Sequence, residues 1–258
     1  LKDISNGNNE LSKKIIEAKK PMIIFGDSFL KINSASYLFD LFKQFLSKNK
    51  KITDDWNPIN ILSVDASTVG NLDLDIVDKS NTLIDELNEN KFEIVFLLGQ
   101  DNLDFKKKDE FIIYQGSHGD KGAEIADIIL PGAAYTEQSG HYTNLEGKIQ
   151  KAFKASYPPG DAKEDWQIIN DLAEVMNKRK LFNDKDELES SMFNYLKIKQ
   201  DQKNFELIGK KNENNFINET IKVEFKDYYF SNVIARSSKT MFECNNSKLD
   251  FKKTGTEG

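Results

Sequence analysis

The stretch GSHGDKGAEIADIILPGAAYTEQSGHYTNLEGKIQ, residues 116–150, decides the fold of this chain. It begins where an apolar run ends, passes through a loop with three glycines, and enters a second apolar run that Pro131 and Gly132 close. A polar turn with the sequence Asn-Leu-Glu-Gly follows at residues 144–147. Glycine takes positive φ without steric cost, so Gly147 predicts a hairpin turn between two short strands.

Apolar runs and helical patterns alternate on the N-terminal side of this stretch. Continuous apolar runs predict buried strands, and they lie at residues 21–25, 59–64, 92–98 and 111–114. Apolar residues at helical spacing predict helices at residues 10–20, from Ser34 onward and near residues 80–88. Strands that alternate with helices favour an α/β fold with a doubly wound, mostly parallel sheet.

Three regions of different composition follow one another along the chain. Residues 1–20 combine a polar, loose segment with a short helix, and residues 21–180 hold the α/β pattern. Residues 181–258 are rich in Asn, Lys, Glu and Asp, with a helix predicted around residues 187–198. The last residues, from Thr240 onward, predict a partly extended tail that packs on neighbouring chains. We therefore expect one α/β domain with an irregular C-terminal extension.

A helix is predicted after the sequence Pro-Pro-Gly at residues 158–160. Asp161 is the expected N-cap, because Glu164 three residues later completes a capping-box pattern. The pattern predicts a buried stripe that packs against the core and does not bind a cofactor. Its members are Trp166, Ile169, Leu172, Ala173 and Met176.

Composition excludes several classes of function. The net charge is −6 and no Lys/Arg stripe interleaved with aromatics is present, which argues against a nucleic-acid-binding protein. The longest apolar runs are far shorter than the roughly 20 residues that cross a bilayer. Cys244 is the single cysteine, whereas an iron-sulfur cluster takes about four protein ligands, mostly thiolates. We therefore expect no iron-sulfur cluster held by this chain alone.

The residues that could form a catalytic, metal or nucleotide site have simpler interpretations. His118 and His141 stand without a second His or Cys at metal-ligand spacing, so we expect loop or packing roles. Glycines at strand ends lack the G-x-G-x-x-G spacing and are expected to form tight turns; they are Gly26, Gly99 and Gly116. Acidic residues without a partner nucleophile are expected to cap or turn the chain; they are Glu124, Asp127, Glu137 and Glu146.

The order of these elements resembles the C-terminal part of the large iron-sulfur subunit (75 kDa, or G-type) of respiratory complex I, and more distantly the molybdopterin oxidoreductases. AKKPMIIFGDS at 18–28 and FEIVFLLGQD at 92–101 are similar to two strands of that family. YPPGDAKEDWQIINDLAEV at 157–175 and DYYFSNVIARSSKTMFECNN at 227–246 are similar to its Trp-bearing helix and its closing segment. The motif residues of the resemblance are Gly116, Gly119, Asp127, Pro131, Gly132, Glu137, Asn144, Glu146, Gly147, Gln150 and Trp166.

The resemblance implies an accessory, structural part of the hydrophilic (peripheral) arm of complex I. Such a part supports NADH-to-ubiquinone electron transfer without holding a redox cofactor. The implied partners are the cluster-bearing N-terminal half of the same subunit and other subunits of that arm. The implied place is the matrix side of the mitochondrial inner membrane or, alternatively, the cytoplasmic face of a bacterial inner membrane.

Two other functions stay open at this point. One is a catalytic fragment of a molybdopterin-dependent oxidoreductase, which molybdenum analysis would reveal. The other is a free-standing nucleotide-binding module, whose melting temperature would rise when nucleotide is added.

Overall fold

The computed structural model describes residues 1–77, 82–100, 103, 106–201, 216–223 and 227–253. Its contacts divide the chain into two compact units. The first contains residues 1–73, 143–148 and 197–224, and the second contains residues 74–142, 149–196 and 225–258. The three-part division expected from composition stays a prediction.

The first unit is built from five helices and two strands in its described part. In chain order they are α1 (Lys2–Ser5), α2 (Glu10–Glu17), β1 (Ile23–Gly26), α3 (Asp27–Leu30), α4 (Ala35–Lys48), β2 (Ile59–Leu62) and α5 (Thr68–Asp73). Strands β1 and β2 are parallel, with Ile23 opposite Ile59 and Gly26 opposite Leu62. The strands and helices predicted in this region are confirmed, with ends that differ by a few residues.

An aromatic core forms between β1, α3 and α4. Phe25 stacks on Phe29 with ring centroids 4.6 Å apart and meets Phe42 edge-on at 5.9 Å. The helical spacing from Ser34 onward correctly predicted the buried face of α4, whose buried members are Leu38, Phe42, Phe45 and Leu46. Burying such side chains contributes roughly 1.5–3 kcal/mol each.

The N-terminal segment is more ordered than its polar sequence predicts. Residues 2–5 form α1, and the Oγ of buried Ser12 donates a hydrogen bond of 2.8 Å to the carbonyl of Ile4. Ile4 packs against the aromatic core. The expectation of a loose end was therefore wrong for these residues, because one apolar side chain and one buried hydroxyl fix them.

The remaining helices and strands of the described residues lie in the second unit, except for Thr143 and residues 197–201, which belong to the first. In chain order they are α6 (Leu83–Asn88), β3 (Ile94–Leu98), β4 (Phe111–Gly116), α7 (Lys121–Ile125), β5 (Ile128–Pro131), β6 (Gly140–Thr143), β7 (Ile149–Ala152), α8 (Asp165–Asn177), α9 (Lys185–Asp201), α10 (Val233–Arg236) and α11 (Lys239–Lys253). A 3-10 turn spans Tyr228–Phe230. The helix predicted around residues 187–198 is confirmed as α9.

A parallel sheet in the order β3-β4-β5 forms the centre of the second unit. Ile112 and Tyr114 of β4 are almost fully buried and pack with Leu97 of β3 and Leu87 of α6. Central strands of parallel sheets read as continuous apolar runs because both faces are covered, and β4 follows this rule. The parallel strand pairs and their helices confirm the α/β class.

The helix α8 begins three residues later than the sequence predicts. Its N-cap is Glu164, whose side chain accepts from the backbone N–H of Gln167, while the Gln167 side chain accepts from the Glu164 N–H at 3.2 Å. This reciprocal pair is a capping box. The prediction of Asp161 as N-cap was wrong, because Lys163 pairs with Gly132 in a backbone bridge, so the chain is still extended at Glu164 and the helix begins only after it.

The buried face of α8 also differs from the predicted stripe. Ile168, Asn170 and Ala173 are buried, whereas Ile169 and Met176 are exposed and Trp166 is half-buried. Asn170 is buried because its side chain binds the backbone of the following turn, accepting from Leu181 and Phe182 and donating to the Phe182 carbonyl at 2.8 Å. A polar residue thus occupies a core position, which the pattern of apolar residues in the sequence cannot predict.

The C-terminal region is helical where the sequence predicts an extended tail. Residues 239–253 form α11, including Thr240. The predicted tail beyond residue 253 lies outside the described residues.

Candidate functional site

The carboxyl ends of β4 and β5 meet the start of α8, and this edge is where ligands bind in open α/β sheets. Gly116 at the end of β4 pairs with Pro131 at the end of β5, and the Gly132 N–H donates to the Gly116 carbonyl at 2.9 Å. The Ala133 N–H then donates to the carbonyl of Lys163 at 2.8 Å, just before α8. The predicted motif residues Gly116, Pro131 and Gly132 therefore lie together at this edge.

Asp165 is the centre of a polar network at this edge. Buried Gln115 of β4 donates from Nε2 to Oδ1 of Asp165 at 2.8 Å. Gln138 donates to Oδ2 at 2.7 Å and accepts the Asp165 N–H at 3.2 Å. Both carboxylate oxygens are thus bonded to neutral amides, and the negative charge lies in the first turn of α8, where the helix dipole favours it.

Glu164 is held by two lysines beside Asp165. Its oxygens lie 3.2 Å from Lys154 Nζ and 2.5 Å from Lys185 Nζ, and Trp166 Nε1 donates to it at 3.3 Å. Burial raises the pKa of Glu164, but the hydrogen bonds and charges of Lys185 and Lys154 together outweigh burial. The net pKa lies below the ordinary value, so this group is an anion at neutral pH and a poor general acid or base.

Asp127 joins the start of β5 to the start of β4. Its carboxylate accepts from the Ile112 N–H at 2.8 Å and from Lys107 Nζ at 2.6 Å. The backbone bond from Ile112 and then the bond from Lys107 lower the pKa of Asp127. Glu137 likewise accepts from the Ala134 N–H at 3.0 Å. These two acidic residues bind backbone groups, as the sequence predicts.

Two glycines make room for the ring of Tyr114. A Cβ added to Gly116 would lie 2.2 Å from the Tyr114 hydroxyl, and one added to Gly122 would lie 2.7 Å from the Gln100 carbonyl and 3.0 Å from the ring. Gly119, in the same loop, has open space around it. Gly116 and Gly122 therefore serve packing, whereas Gly99, with φ +62°, serves a tight turn.

The turn at residues 144–147 is a separate feature with no side chain in the Asp165 network. Gly147 has φ +80° and its N–H donates to the Asn144 carbonyl at 2.9 Å, which confirms the predicted turn. Asn144 Oδ1 accepts from the backbone of Glu146 and Lys148. The side chains of Leu145 and Glu146 are exposed, and so is Gln150 in β7.

A cavity of about 660 Å³ adjoins the Asp165 network. Its walls combine α9, the start of α8 and the segment 138–141, and they include Trp166, Leu188, Met192 and Tyr195. Sequence reasoning missed Gln115, Gln138 and Asp165 as a unit. A polar residue at the end of an apolar strand, such as Gln115, was the available signal.

His118 lies in a loop and His141 packs against an aromatic ring, which are the two kinds of role that the sequence predicts. His118 Nδ1 lies 2.9 Å from Ser117 Oγ, and the ring of His141 meets Phe193 edge-on with centroids 5.2 Å apart. Within the described residues no three His, Cys, Asp or Glu side chains lie close enough to hold a metal ion. In the same part of the chain no helix is long and apolar enough to span a bilayer.

Two protein families match consecutive parts of the chain. The molybdopterin oxidoreductase family matches residues 1–175. The C-terminal domain of the G-type subunit of NADH-ubiquinone oxidoreductase matches residues 187–244. The two matches are separated by residues 176–186, which run from the end of α8 to the start of α9.

Curated relatives are similar over nearly the whole chain. The NADH-ubiquinone oxidoreductase 75 kDa subunit of Reclinomonas americana is 37% identical, over 95% of this chain and 37% of that protein. The mitochondrial 78 kDa subunit of Candida albicans is 36% identical, over 91% of this chain and 34% of that protein. The G-type subunit of NADH-quinone oxidoreductase from Rickettsia bellii is 37% identical, over 99% of this chain and 37% of that protein.

The chain therefore spans about a third of the length of these relatives. The relatives include both mitochondrial and bacterial proteins. The resemblance seen in the sequence is confirmed: the chain belongs to the molybdopterin oxidoreductase family and is similar to part of the 75 kDa, or G-type, subunit of NADH-ubiquinone oxidoreductase.

Proposed function

We propose that this chain is an accessory, structural part of the peripheral arm of respiratory complex I. In this role it supports electron transfer from NADH to ubiquinone and holds no redox cofactor itself. The observation that carries the proposal is the order of the two matches within one chain. A molybdopterin oxidoreductase domain is followed by the C-terminal domain of the G-type subunit. An unrelated oxidoreductase of the first family would not supply the second match.

The chemistry of the edge supports a structural role. A pterin cofactor with its phosphate needs hydrogen-bond donors and metal ligands that face the bound group. Here the amides of Gln115 and Gln138 are directed at Asp165, and Lys154 and Lys185 are directed at Glu164. The Tyr114 ring fills the space beside Gly116. These residues do not fit a molybdopterin group.

We infer the partners of this chain from its single cysteine and from the relatives it is similar to. Cys244, the single cysteine, is exposed on α11, and an iron-sulfur cluster needs about four ligands. The cysteines for electron transfer must then come from a cluster-bearing N-terminal half, either on a separate polypeptide or on the same one. Other subunits of the peripheral arm complete the set of partners. We place the chain on the matrix side of the mitochondrial inner membrane, with the cytoplasmic face of a bacterial membrane as the alternative.

The doubly wound arrangement of helices and mostly parallel strands is proposed for each unit by itself. The support is that β1 and β2, and β3, β4 and β5, are all parallel pairs. Parallel strands need crossover connections, and helices lie between β1 and β2 (α3 and α4) and between β4 and β5 (α7) in the sequence.

Native gel electrophoresis tests the proposal. The chain should comigrate with a very large membrane complex that oxidises NADH, and depletion of the chain should lower the abundance of that complex. Migration as a small free protein, with normal NADH-to-ubiquinone activity after depletion, would exclude the assignment. Stoichiometric molybdenum in the purified protein would instead favour a catalytic molybdopterin enzyme.

A further inference from the structure

A short C-terminal segment lies against the glycine-containing loop that follows β4. This strap segment, residues 227–236, contains the 3-10 turn Tyr228–Phe230 and the helix α10. Asp227 Oδ1 accepts from the Tyr229 N–H and Asn232 Oδ1 from the Ala235 N–H, each at 2.9 Å. These local caps fix the backbone around Arg236.

One ion pair joins the strap segment to the loop. Arg236 Nε donates to Asp120 Oδ2 at 2.7 Å, and the two side chains are only 22% and 23% exposed. The other oxygen of Asp120 accepts the Lys121 N–H at 2.9 Å, at the start of α7. Asp120 therefore caps α7 and binds Arg236 at the same time, although the two residues are 116 positions apart.

The loop held in this way, residues 117–120, leaves the carboxyl end of β4. Ligands of open α/β sheets bind at such ends, on loops that keep backbone groups free for them. Tyr114 of β4 donates from its hydroxyl to the carbonyl of His118 in the loop at 3.0 Å. Gly119 has no side chain that could fix the middle of the loop.

We propose that the strap segment is a built-in closure of this loop, with Arg236 and Asp120 as its latch. The latch holds residues 117–120 next to Tyr114. The loop is therefore fixed by contacts within the chain and needs no ligand to order it. At a ligand-binding edge, a cationic side chain would face a bound phosphate. Here the cation is Arg236, and it is directed at Asp120 of the same chain. The inference does not depend on membership of complex I.

Hydrogen–deuterium exchange of the full chain tests the latch. Arg236→Gln and Asp120→Asn are the informative variants, because Asn keeps an oxygen that can cap α7 while it removes the charge. Each should speed exchange of the amides in residues 117–122 and 228–236 by about fivefold, the scale expected for local opening after loss of a partly exposed ion pair. The double variant should exchange no faster than Arg236→Gln alone, since both substitutions remove the same ion pair and only Arg236→Gln also removes the 3.5 Å hydrogen bond to the Phe230 carbonyl.

Arg179→Gln and Asp161→Asn are matched controls, because both side chains are exposed and lie outside the latch. They should leave exchange at residues 117–122 unchanged. Effects of Arg236→Gln and Asp120→Asn that add up in the double variant, or unchanged exchange in both, would overturn the proposal. If Arg236→Gln fails to fold, Asp120→Asn decides alone, with the melting temperature confirming that the variant is folded.

Discussion

Single glycines act in this protein by adopting a positive φ or by leaving room for a neighbouring side chain. Gly147 provides a positive φ, and Gly116 and Gly122 provide room for Tyr114. Neither role needs a ligand. Loops at strand ends in this chain therefore carry glycines for packing and turning, which separates them from nucleotide-binding loops with the G-x-G-x-x-G pattern.

Gly147→Val should destabilise the protein by about 1–2 kcal/mol, because a β-branched residue is strained at positive φ. The melting temperature of the purified variant measures the effect. Gly140→Val is the control, since Gly140 lies in β6 with open space around it and without positive φ. Equal melting temperatures of the Gly147 variant and the parent chain would contradict the role given to the turn.

Gly122→Ala should also destabilise the protein, by about 1–3 kcal/mol, because the new methyl group meets a backbone carbonyl that cannot rotate away. The better helix propensity of Ala recovers at most about 1 kcal/mol in α7. Gly119→Ala is the matched control in open space and should leave stability nearly unchanged. Urea unfolding of the three chains gives the comparison, and a Gly122 variant as stable as the parent would refute the close approach.

At the scale of elements, the start of α8 is the point where several parts of the second unit meet. The capping box fixes the helix end, Asp165 ties it to β4 through Gln115, and Lys185 brings in the start of α9. A helix start normally leaves donors unsatisfied, and here side chains from other elements complete the arrangement. The network stabilises the fold through the bonds of Glu164 to two lysines and of Asp165 to two amide side chains.

Glu164→Gln should lower the unfolding free energy by about 2 kcal/mol at pH 7, since hydrogen bonds to a charged group are lost. The pKa of Glu164 is depressed in the folded state, so its contribution is present above the unfolded value of 4.5 and is lost as pH falls below it. The difference in unfolding free energy between parent and variant should therefore be constant near neutral pH and decrease as the pH falls below 4.5.

Urea titrations from pH 7 to pH 3 measure this difference. Glu174→Gln is the control, because its pair with Lys180 is long, at 3.8 Å, and half exposed. It should change stability by less than about 0.5 kcal/mol. A Glu164 effect that grows as the pH falls would have the wrong sign and would exclude the proposed ion pairs.

At the scale of the whole molecule, the chain corresponds to about a third of its relatives. Its described residues form two compact units with separate cores. The proposed role in complex I therefore depends on partners that supply the redox centres. Measuring the metal content of the pure chain tests whether the redox centres come from partners.

The purified chain should show no iron-sulfur absorption and no cluster signal in electron paramagnetic resonance after reduction, because one cysteine cannot ligate a cluster. It should also contain no stoichiometric molybdenum. The intact NADH-oxidising complex is the positive control and should show cluster signals. A stoichiometric cluster or molybdenum in the pure chain would refute the accessory role.

The sequence by itself determined the features that depend on local pattern. Apolar runs located the parallel strands β1 to β4, helical spacing located the buried face of α4, and Asn144 with Gly147 determined the turn. The motif order also identified the family. Each of these signals rests on residues close together in the chain, where backbone preference and side-chain periodicity decide the outcome.

Only the tertiary structure decided the contacts between distant residues. Nothing in the local sequence distinguishes Gln115, Gln138 and Asp165 from other polar residues until the fold brings them together. The N-cap of α8 is Glu164 and not Asp161, because Lys163 pairs with the distant Gly132. The same reason makes Asn170 buried and Arg236 a partner of Asp120. A polar side chain can be buried only where another element satisfies it, and no local pattern carries that information.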